Sequence, residues 1–96
     1  MALKVVSLTQ TTTACPTQWE GRLADGRSVY IRFRWGVLTV SVGSDPDWAI
    51  ENAINRPLFR KFVGGYFGEL LPEHKLRETL RGILDLPKSI TSFKKL

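Results

Sequence analysis

The sequence predicts a mixed α+β fold, in which an antiparallel β-meander of three or four strands packs on two or three helices. Two patterns carry this prediction. Apolar and polar residues alternate through residues 17–43, which is the period of strands with one buried face. Apolar residues then recur at helical spacing over 45–86. Because 96 residues supply one core, we expect a single domain over 1–96, ending in a basic tail at 88–96.

The first predicted element is a short strand at residues 3–8, whose sequence LKVVSL is rich in β-forming residues. The Thr-rich stretch TQTTTACPTQ follows it and contains Pro16. A polar stretch of this kind is typical of a connection between elements. We therefore expect a connector here, with the meander starting after it.

The first hairpin of the meander is predicted from the Asp25-Gly26 pair, which is a strong turn signal. A two-residue loop would put Leu23 on the polar face and leave the apolar face incomplete. A three-residue loop that ends at Gly26 pairs Trp19 with Ile31 and keeps the apolar residues on one side. We therefore predict the three-residue loop, with Gly26 in the left-handed conformation of a bulged turn.

The second hairpin is predicted to turn at Trp35-Gly36 through a two-residue loop. This register brings six apolar residues together on the core face, in the pairs Phe33–Leu38, Ile31–Val40 and Val29–Val42. The other face is polar and is expected to be open to solvent, and it carries Glu20, Arg22, Tyr30, Arg32, Arg34, Thr39 and Ser41. Trp35 lies at the hairpin tip, where it does not have to be buried.

A short helix is predicted to start at Ser44-Asp45 or Asp45-Pro46 and to continue to about Asn55. Helix capping and the positive end of the helix account for Asp45 and Asp47 near its start. Its apolar face is expected to contain Trp48, Ile50, Ala53 and Ile54. Residues 58–63 also show helical spacing, up to a tight break at Gly64-Gly65. These two segments are expected to pack against the sheet.

The clearest predicted helix covers residues 72–86, because it opens at Pro72 and has one apolar stripe. The stripe consists of Leu76, Leu80, Ile83 and Leu84. Pro87 ends the helix, and the tail beyond it is expected to fray.

The inventory of reactive side chains argues against catalysis. The chain has one cysteine, Cys15, and one histidine, His74. We expect Cys15 to be an inert thiol and His74 to be a solvated residue in the first turn of a helix. One of each cannot supply the four ligands of a structural zinc site. Gly64-Gly65 also lacks the Gly-Lys-Ser/Thr of a phosphate-binding loop. We therefore expect no enzyme activity, no metal and no cofactor.

Charge and cysteine content indicate the kind of partner and the compartment. Lysine and arginine total 14 against 9 acidic residues, giving a net charge of +5, which favours anionic partners. A lone thiol is typical of a reducing compartment. No apolar stretch has the length of a membrane span. We therefore expect a cytoplasmic protein that does not act at a membrane.

A basic–aromatic set on the polar sheet face is the candidate partner-binding site. Its residues are Arg22, Tyr30, Arg32, Arg34 and Trp35. Arginine binds carboxylate and phosphate groups through two parallel hydrogen bonds, and aromatic rings stack on bases or apolar surface. A solvated sheet face is the alternative interpretation. A second basic cluster, Arg56, Arg60 and Lys61, is expected on the solvated face of a helix.

We therefore expect a non-catalytic binding module, most simply a small interaction or inhibitor protein whose partner is an acidic protein. Tyrosine, tryptophan and arginine are the residue types enriched at interface hot spots. The alternative partner is an anionic nucleic acid or nucleotide held by the same face. An enzyme is the third and weakest class, because no set of catalytic side chains is apparent.

The stretch CPTQWEGRLADGRSVYIRFRWGVLTV resembles a motif of small bacterial and phage-borne proteins that have no assigned activity. It covers about a quarter of the chain. The resemblance implies an accessory protein or one carried by a mobile element. It implies no cofactor and no site residue.

Overall fold

The computed structural model describes residues 2–13, 17–64 and 71–92. It has one mixed seven-stranded sheet of order β5-β4-β3-β2-β1-β6, with β7 also paired to β1. The strands are β1 (Leu3–Thr12), β2 (Thr17–Leu23), β3 (Ser28–Arg34), β4 (Val37–Gly43), β5 (Phe59–Phe62), β6 (Leu84–Asp85) and β7 (Thr91–Ser92). The helices are α1 (Pro46–Asn55) and α2 (Glu73–Thr79).

The predicted fold class is therefore wrong. The protein is mainly β, with a curled mixed sheet and two short helices, and not a meander packed on two or three helices. Two strands that were not predicted, β6 and β7, run parallel to β1. They are two residues long, and two residues are too few to show an alternation pattern in the sequence.

The registers predicted for the two hairpins are confirmed. Trp19 pairs with Ile31, which requires the three-residue loop, and Gly26 has a positive φ of 94°. In the second hairpin Phe33 pairs with Leu38, across the two-residue turn. The core face of these strands is buried against apolar residues of β1, α2 and β6. That core consists mainly of Val5, Leu8, Trp19, Ile31, Phe33, Leu38, Val40, Leu76, Leu80 and Leu84.

The first strand is longer than predicted and continues into the Thr-rich stretch as far as Thr12. Its end is held on both edges, because Thr9 and Gln10 pair with β2 on one side and β7 on the other. A shift in register after Val5 lets both Val5 and Leu8 reach the core, although they are an odd number of residues apart. Gly21 pairs with Leu8 just beyond this bulge, and a Cβ atom at Gly21 would collide with the Ser7 carbonyl oxygen.

Helix α1 is confirmed where it was predicted, but it covers the opposite face of the sheet. Asp45 caps it by accepting a hydrogen bond of 3.0 Å from the Trp48 backbone N–H. The buried residues of α1 are Ala49 and Ala53, which pack on the Tyr30 ring. Trp48, predicted to face the core, is 57% exposed. The predicted apolar face is therefore wrong for Trp48 and for Ile50, which is 41% exposed, whereas Ala53 is buried as predicted. The side chain of Ile54 lies outside the described part of the helix.

The helix predicted over 58–63 is wrong, because Phe59–Phe62 forms strand β5 on the edge of β4. The Val63 N–H donates to the Gly36 carbonyl over 2.8 Å and continues the pairing to the hairpin. A segment this short cannot complete the turns that stabilise an isolated helix, whereas the open edge of β4 satisfies its backbone.

The last predicted helix is shorter than expected, because α2 ends at Thr79. Gly82 adopts a positive φ of 87°, and the N–H groups of Ile83 and Leu84 both donate to the Leu80 carbonyl. This is a glycine-dependent helix end. The predicted stripe is still largely buried, since Leu84 continues into β6 and reaches the core from there.

The remaining predictions concern the chain termini and connections. Thr91 and Ser92 pair with β1, so the predicted fraying of the tail is wrong at these residues. The rest of the tail, 93–96, lies outside the described residues, as do Cys15 and residues 65–70. Neither helix of the described chain is long and apolar enough to cross a membrane.

The buried hydroxyl of Thr17 connects the start of the meander to the segment that enters α2. It donates to the Thr13 carbonyl over 2.9 Å and accepts from the Leu71 N–H over 3.1 Å. Both Thr17 and Leu71 are buried. The hydroxyl therefore satisfies a backbone donor that has no access to water.

We expect Thr17→Val to lower the free energy of unfolding by about 1–3 kcal/mol, because it leaves the buried Leu71 N–H without this acceptor. Thr91→Val is the control, since Thr91 is exposed in β7 and its replacement should change stability by less than about 0.5 kcal/mol. Urea unfolding of the two variants gives both values. Equal stability of the two variants would show that the Thr17 hydroxyl has no structural role.

Candidate functional site

Helix α1 divides the outer face of the meander into a covered part and an open part. Tyr30 and Ser41, both predicted to be solvent-exposed, lie under the helix and are 4% and 0% exposed. The Ser41 hydroxyl donates to the Ala49 carbonyl over 2.5 Å, and Asn52 Nδ2 donates to the Val42 carbonyl over 2.7 Å. The open part is the end of the sheet nearest the second hairpin.

Tyr30 is consequently a buried structural residue and not a surface ring for stacking. Its hydroxyl accepts a hydrogen bond of 2.8 Å from Gln18 Nε2. Burial raises the pKa of the Tyr30 phenol, and the nearby Arg32 guanidinium offsets part of this effect. Tyr30 therefore packs under α1, next to the open part of the outer face.

The pairing of β3, β4 and β5 brings three arginines together. Arg32 pairs with Thr39, and Thr39 pairs with Arg60, so the side chains of Arg32, Thr39 and Arg60 form one row on the outer face. Arg34, Val37 and Phe62 form the next row. A cavity of about 210 Å³ lies over these rows and is lined by Arg32, Arg34, Trp35, Val37, Thr39 and Arg60.

We call this surface the basic–aromatic patch and define it by Arg32, Arg34, Trp35, Arg60 and Phe62. The ion pairs within 4.0 Å among the described residues are Lys4–Asp85, Arg27–Asp25, Lys75–Glu78 and Arg77–Glu73. None of them includes an arginine of the patch. Three guanidinium groups therefore share one concave surface without a carboxylate partner from the described chain.

Trp35 occupies an unfavourable backbone conformation at the tip of its hairpin. Its φ is 57°, and Gly36 follows with a φ of 77°, as a turn of type I′ requires. Asparagine or aspartate usually precedes the glycine, because a bulky side chain is strained in the left-handed region. The ring is nevertheless 72% exposed, and its described contact is the Arg34 guanidinium at 5.3 Å from the ring centre.

Phe62 is a component of the patch that the sequence did not reveal. It is 70% exposed and lies beside Val37 on the outer face. Its assignment to a helix hid this position, because the helical pattern groups it with Phe59 on an apolar face. The alternation of Phe59 inward and Phe62 outward appears only once β5 is paired with β4.

The other predicted site residues are distributed around the fold. Arg22 pairs with Ser28, six residues from Arg34 along the sheet, which is about 20 Å at the rise of a strand. It therefore lies outside the patch. Of the second basic cluster, Arg60 belongs to the patch, Lys61 is exposed beside it on β5, and Arg56 ends α1. The prediction that this cluster lies on a helix is wrong.

Few other side chains of the described residues are candidates for a chemical function. His74 is exposed in the first turn of α2, as predicted. Within 2–13, 17–64 and 71–92, no three His, Cys, Asp or Glu side chains come together in a way that could hold a metal ion. A second cavity of about 400 Å³ is lined in part by Arg77 and Asp85, but Glu73 already pairs with Arg77 at 2.9 Å.

Comparison with known proteins gives one local similarity. A stretch of 71 residues, covering 68% of this chain, is 41% identical to part of carboxypeptidase A6 from Homo sapiens. The chain spans only 16% of the length of that protein. No protein-family model and no solved structure matches the chain. A match to so small a part of a longer enzyme does not extend the activity of that enzyme to this chain.

We expect the free energy of unfolding to fall as the pH rises above about 10, the usual pKa of tyrosine. Burial raises the pKa of Tyr30 in the folded protein, so the unfolded chain loses its proton first. The stabilisation is fully present at pH values below the usual pKa of tyrosine. It is lost as the pH rises through the raised pKa that Tyr30 has in the folded protein. Urea unfolding across this pH range measures it.

Tyr30→Phe is the matched control, because it keeps the ring and removes the ionisable group. The only other tyrosine, Tyr66, is common to both proteins, so the difference between their pH profiles belongs to Tyr30. Identical profiles would mean that the Tyr30 hydroxyl ionises as freely in the folded protein as in the unfolded chain.

Proposed function

We propose that this protein is a non-catalytic binding module that holds an acidic segment of a protein partner on the basic–aromatic patch. Guanidinium groups bind carboxylates with fixed geometry, and a cavity of about 210 Å³ accommodates side chains rather than a whole domain. The lone cysteine of the sequence favours a cytoplasmic location. The resemblance to small bacterial and phage-borne proteins favours an accessory role.

The observation that carries the proposal is the position of Trp35. A bulky residue in the left-handed conformation costs about 1–2 kcal/mol, and an exposed ring regains little of this by burial. Strain that the fold does not require is concentrated at functional sites. Trp35 also lies beside arginines, and these two residue types dominate interface hot spots.

A second candidate is single-stranded nucleic acid. The specific observation in its favour is that two exposed rings, Trp35 and Phe62, lie beside three arginines on one sheet surface. Bases stack on such rings, and phosphates pair with such arginines. The two candidates differ in their dependence on salt, because each phosphate contact contributes about −0.7 to the log–log salt slope for single strands.

We expect the double variant Arg32→Ala with Arg34→Ala to lose at least tenfold in affinity for a fluorescent glutamate-rich peptide, with almost no change in Tm. Both side chains lie on the open outer face, so they contribute to recognition more than to packing. Fluorescence anisotropy measures the affinity, with a thymidine oligonucleotide as the second probe. A steep salt slope and stronger binding of the oligonucleotide would favour nucleic acid.

The control is Arg81→Ala with Lys88→Ala, which removes the same charge from two exposed positions outside the patch. If the two double variants bind both probes equally, net charge alone explains binding and the patch has no special role.

We expect Trp35→Asn to weaken binding of the same peptide severalfold while Tm stays unchanged or rises. Asparagine tolerates the left-handed conformation, so relief of strain offsets the lost contact with Arg34. Differential scanning calorimetry and anisotropy provide the two measurements. A marked fall in Tm with unchanged affinity would identify Trp35 as a structural residue and remove the main support for the proposal.

A further inference from the structure

Strand β5 forms one edge of the sheet. In the part of the chain that the structure describes, its inner edge pairs with β4 and no strand pairs with its outer edge. The strand is four residues long, Phe59-Arg60-Lys61-Phe62. Pro57 precedes it, and Gly64 follows it with a positive φ of 122°. The open edge is therefore short and has defined ends.

The pairing with β4 indicates which backbone groups of β5 point outward. The Val63 N–H donates to the Gly36 carbonyl, so these residues form a hydrogen-bonded pair. In an antiparallel ladder such pairs alternate, which makes Leu38–Lys61 the next one. The backbone N–H and C=O groups of Arg60 and Phe62 consequently point away from β4. They offer a partner chain two donors and two acceptors.

We propose that the acidic segment of the partner binds as an additional strand along the outer edge of β5. This inference rests on the proposed function and states how the partner is held. Main-chain hydrogen bonds would supply affinity, and the side chains on the two faces of the added strand would supply specificity. The added strand continues the row that contains Arg32, Thr39 and Arg60, so its side chains reach the basic–aromatic patch.

Charge complementarity identifies an acidic strand as the occupant. Arg60 and Lys61 are both exposed on β5 and project to opposite faces, and neither is part of an ion pair among the described residues. Cations on an edge strand oppose pairing with a second copy of the same strand, because like charges then lie side by side. An acidic strand instead places a negative charge beside Arg60 on one face and beside Lys61 on the other.

The order of residues in β5 also predicts the order in its partner. Phe59 and Phe62 flank the two cations, and Phe62 is 70% exposed. A strand with two acidic residues between two apolar residues matches this pattern in either direction of pairing. Each apolar residue then covers a phenylalanine, and each acidic residue faces a cation.

The test uses a capped peptide with two adjacent glutamates between two valines, and the same peptide N-methylated at these four residues. N-methylation removes the backbone donors and leaves the side-chain charges unchanged. We expect the unmethylated peptide to bind the full-length protein at least tenfold more tightly. We also expect its binding to slow amide hydrogen exchange at Arg60 and Phe62, measured by NMR, with little change at Lys61, which already pairs with β4.

Charge-reversal variants test the occupant independently of the backbone. We expect Arg60→Glu with Lys61→Glu to abolish measurable binding of the unmethylated peptide, whereas Arg81→Glu with Lys88→Glu should reduce it less than threefold. Equal effects of the two double variants would overturn the assignment to β5.

The outcomes separate this inference from the proposed function. If both peptides bind equally and both depend on Arg32 and Arg34, the patch holds acidic side chains but strand addition is wrong. If neither peptide binds, both the acidic-protein proposal and strand addition are wrong.

Discussion

The register of β3 against β4 is the constraint on which the rest of the structure depends. Because successive residues of a strand point to opposite faces, the two-residue turn at Trp35-Gly36 assigns every side chain of both strands to one face. It puts Phe33 opposite Leu38 in the core and Arg32 on the other side. A slip of one residue would bury the Arg32 charge, at a cost of several kcal/mol. The core and the part of the basic–aromatic patch that β3 and its hairpin supply, Arg32, Arg34 and Trp35, are thus two results of one alignment.

The second determinant of the site is the way in which α1 lies on the outer face of the sheet. Ser41 and Asn52 connect the helix to β4 through hydrogen bonds, and Gly43 allows close approach, since a Cβ there would lie within 2.6 Å of the helix backbone. The helix buries Tyr30 and leaves the hairpin end uncovered. Tyr30, which was predicted to bind the partner, is thereby a buried structural residue. The accessible arginines of the outer face lie together at the hairpin end.

Two features that usually reduce stability or solubility lie together at this end of the fold. Trp35 holds a strained conformation while exposed, and Phe62 exposes an aromatic ring on a short edge strand. Arg60 and Lys61 limit the hazard, because cations on an edge discourage pairing between copies. In the proposed complex the same cations would pair with the acidic strand, so one arrangement would both discourage self-pairing and select the partner.

The sequence by itself determined the local structure of this protein, namely the two hairpins, their registers, and the capped start of α1 at Asp45. It also identified Arg32, Arg34 and Trp35 as neighbours, because turn chemistry and strand period are visible over a few residues. Only the tertiary structure decided which face α1 covers, and that 59–62 pairs with β4 and brings Arg60 into the site. Those outcomes depend on contacts between distant segments, where an open strand edge outweighs a weak local preference for helix.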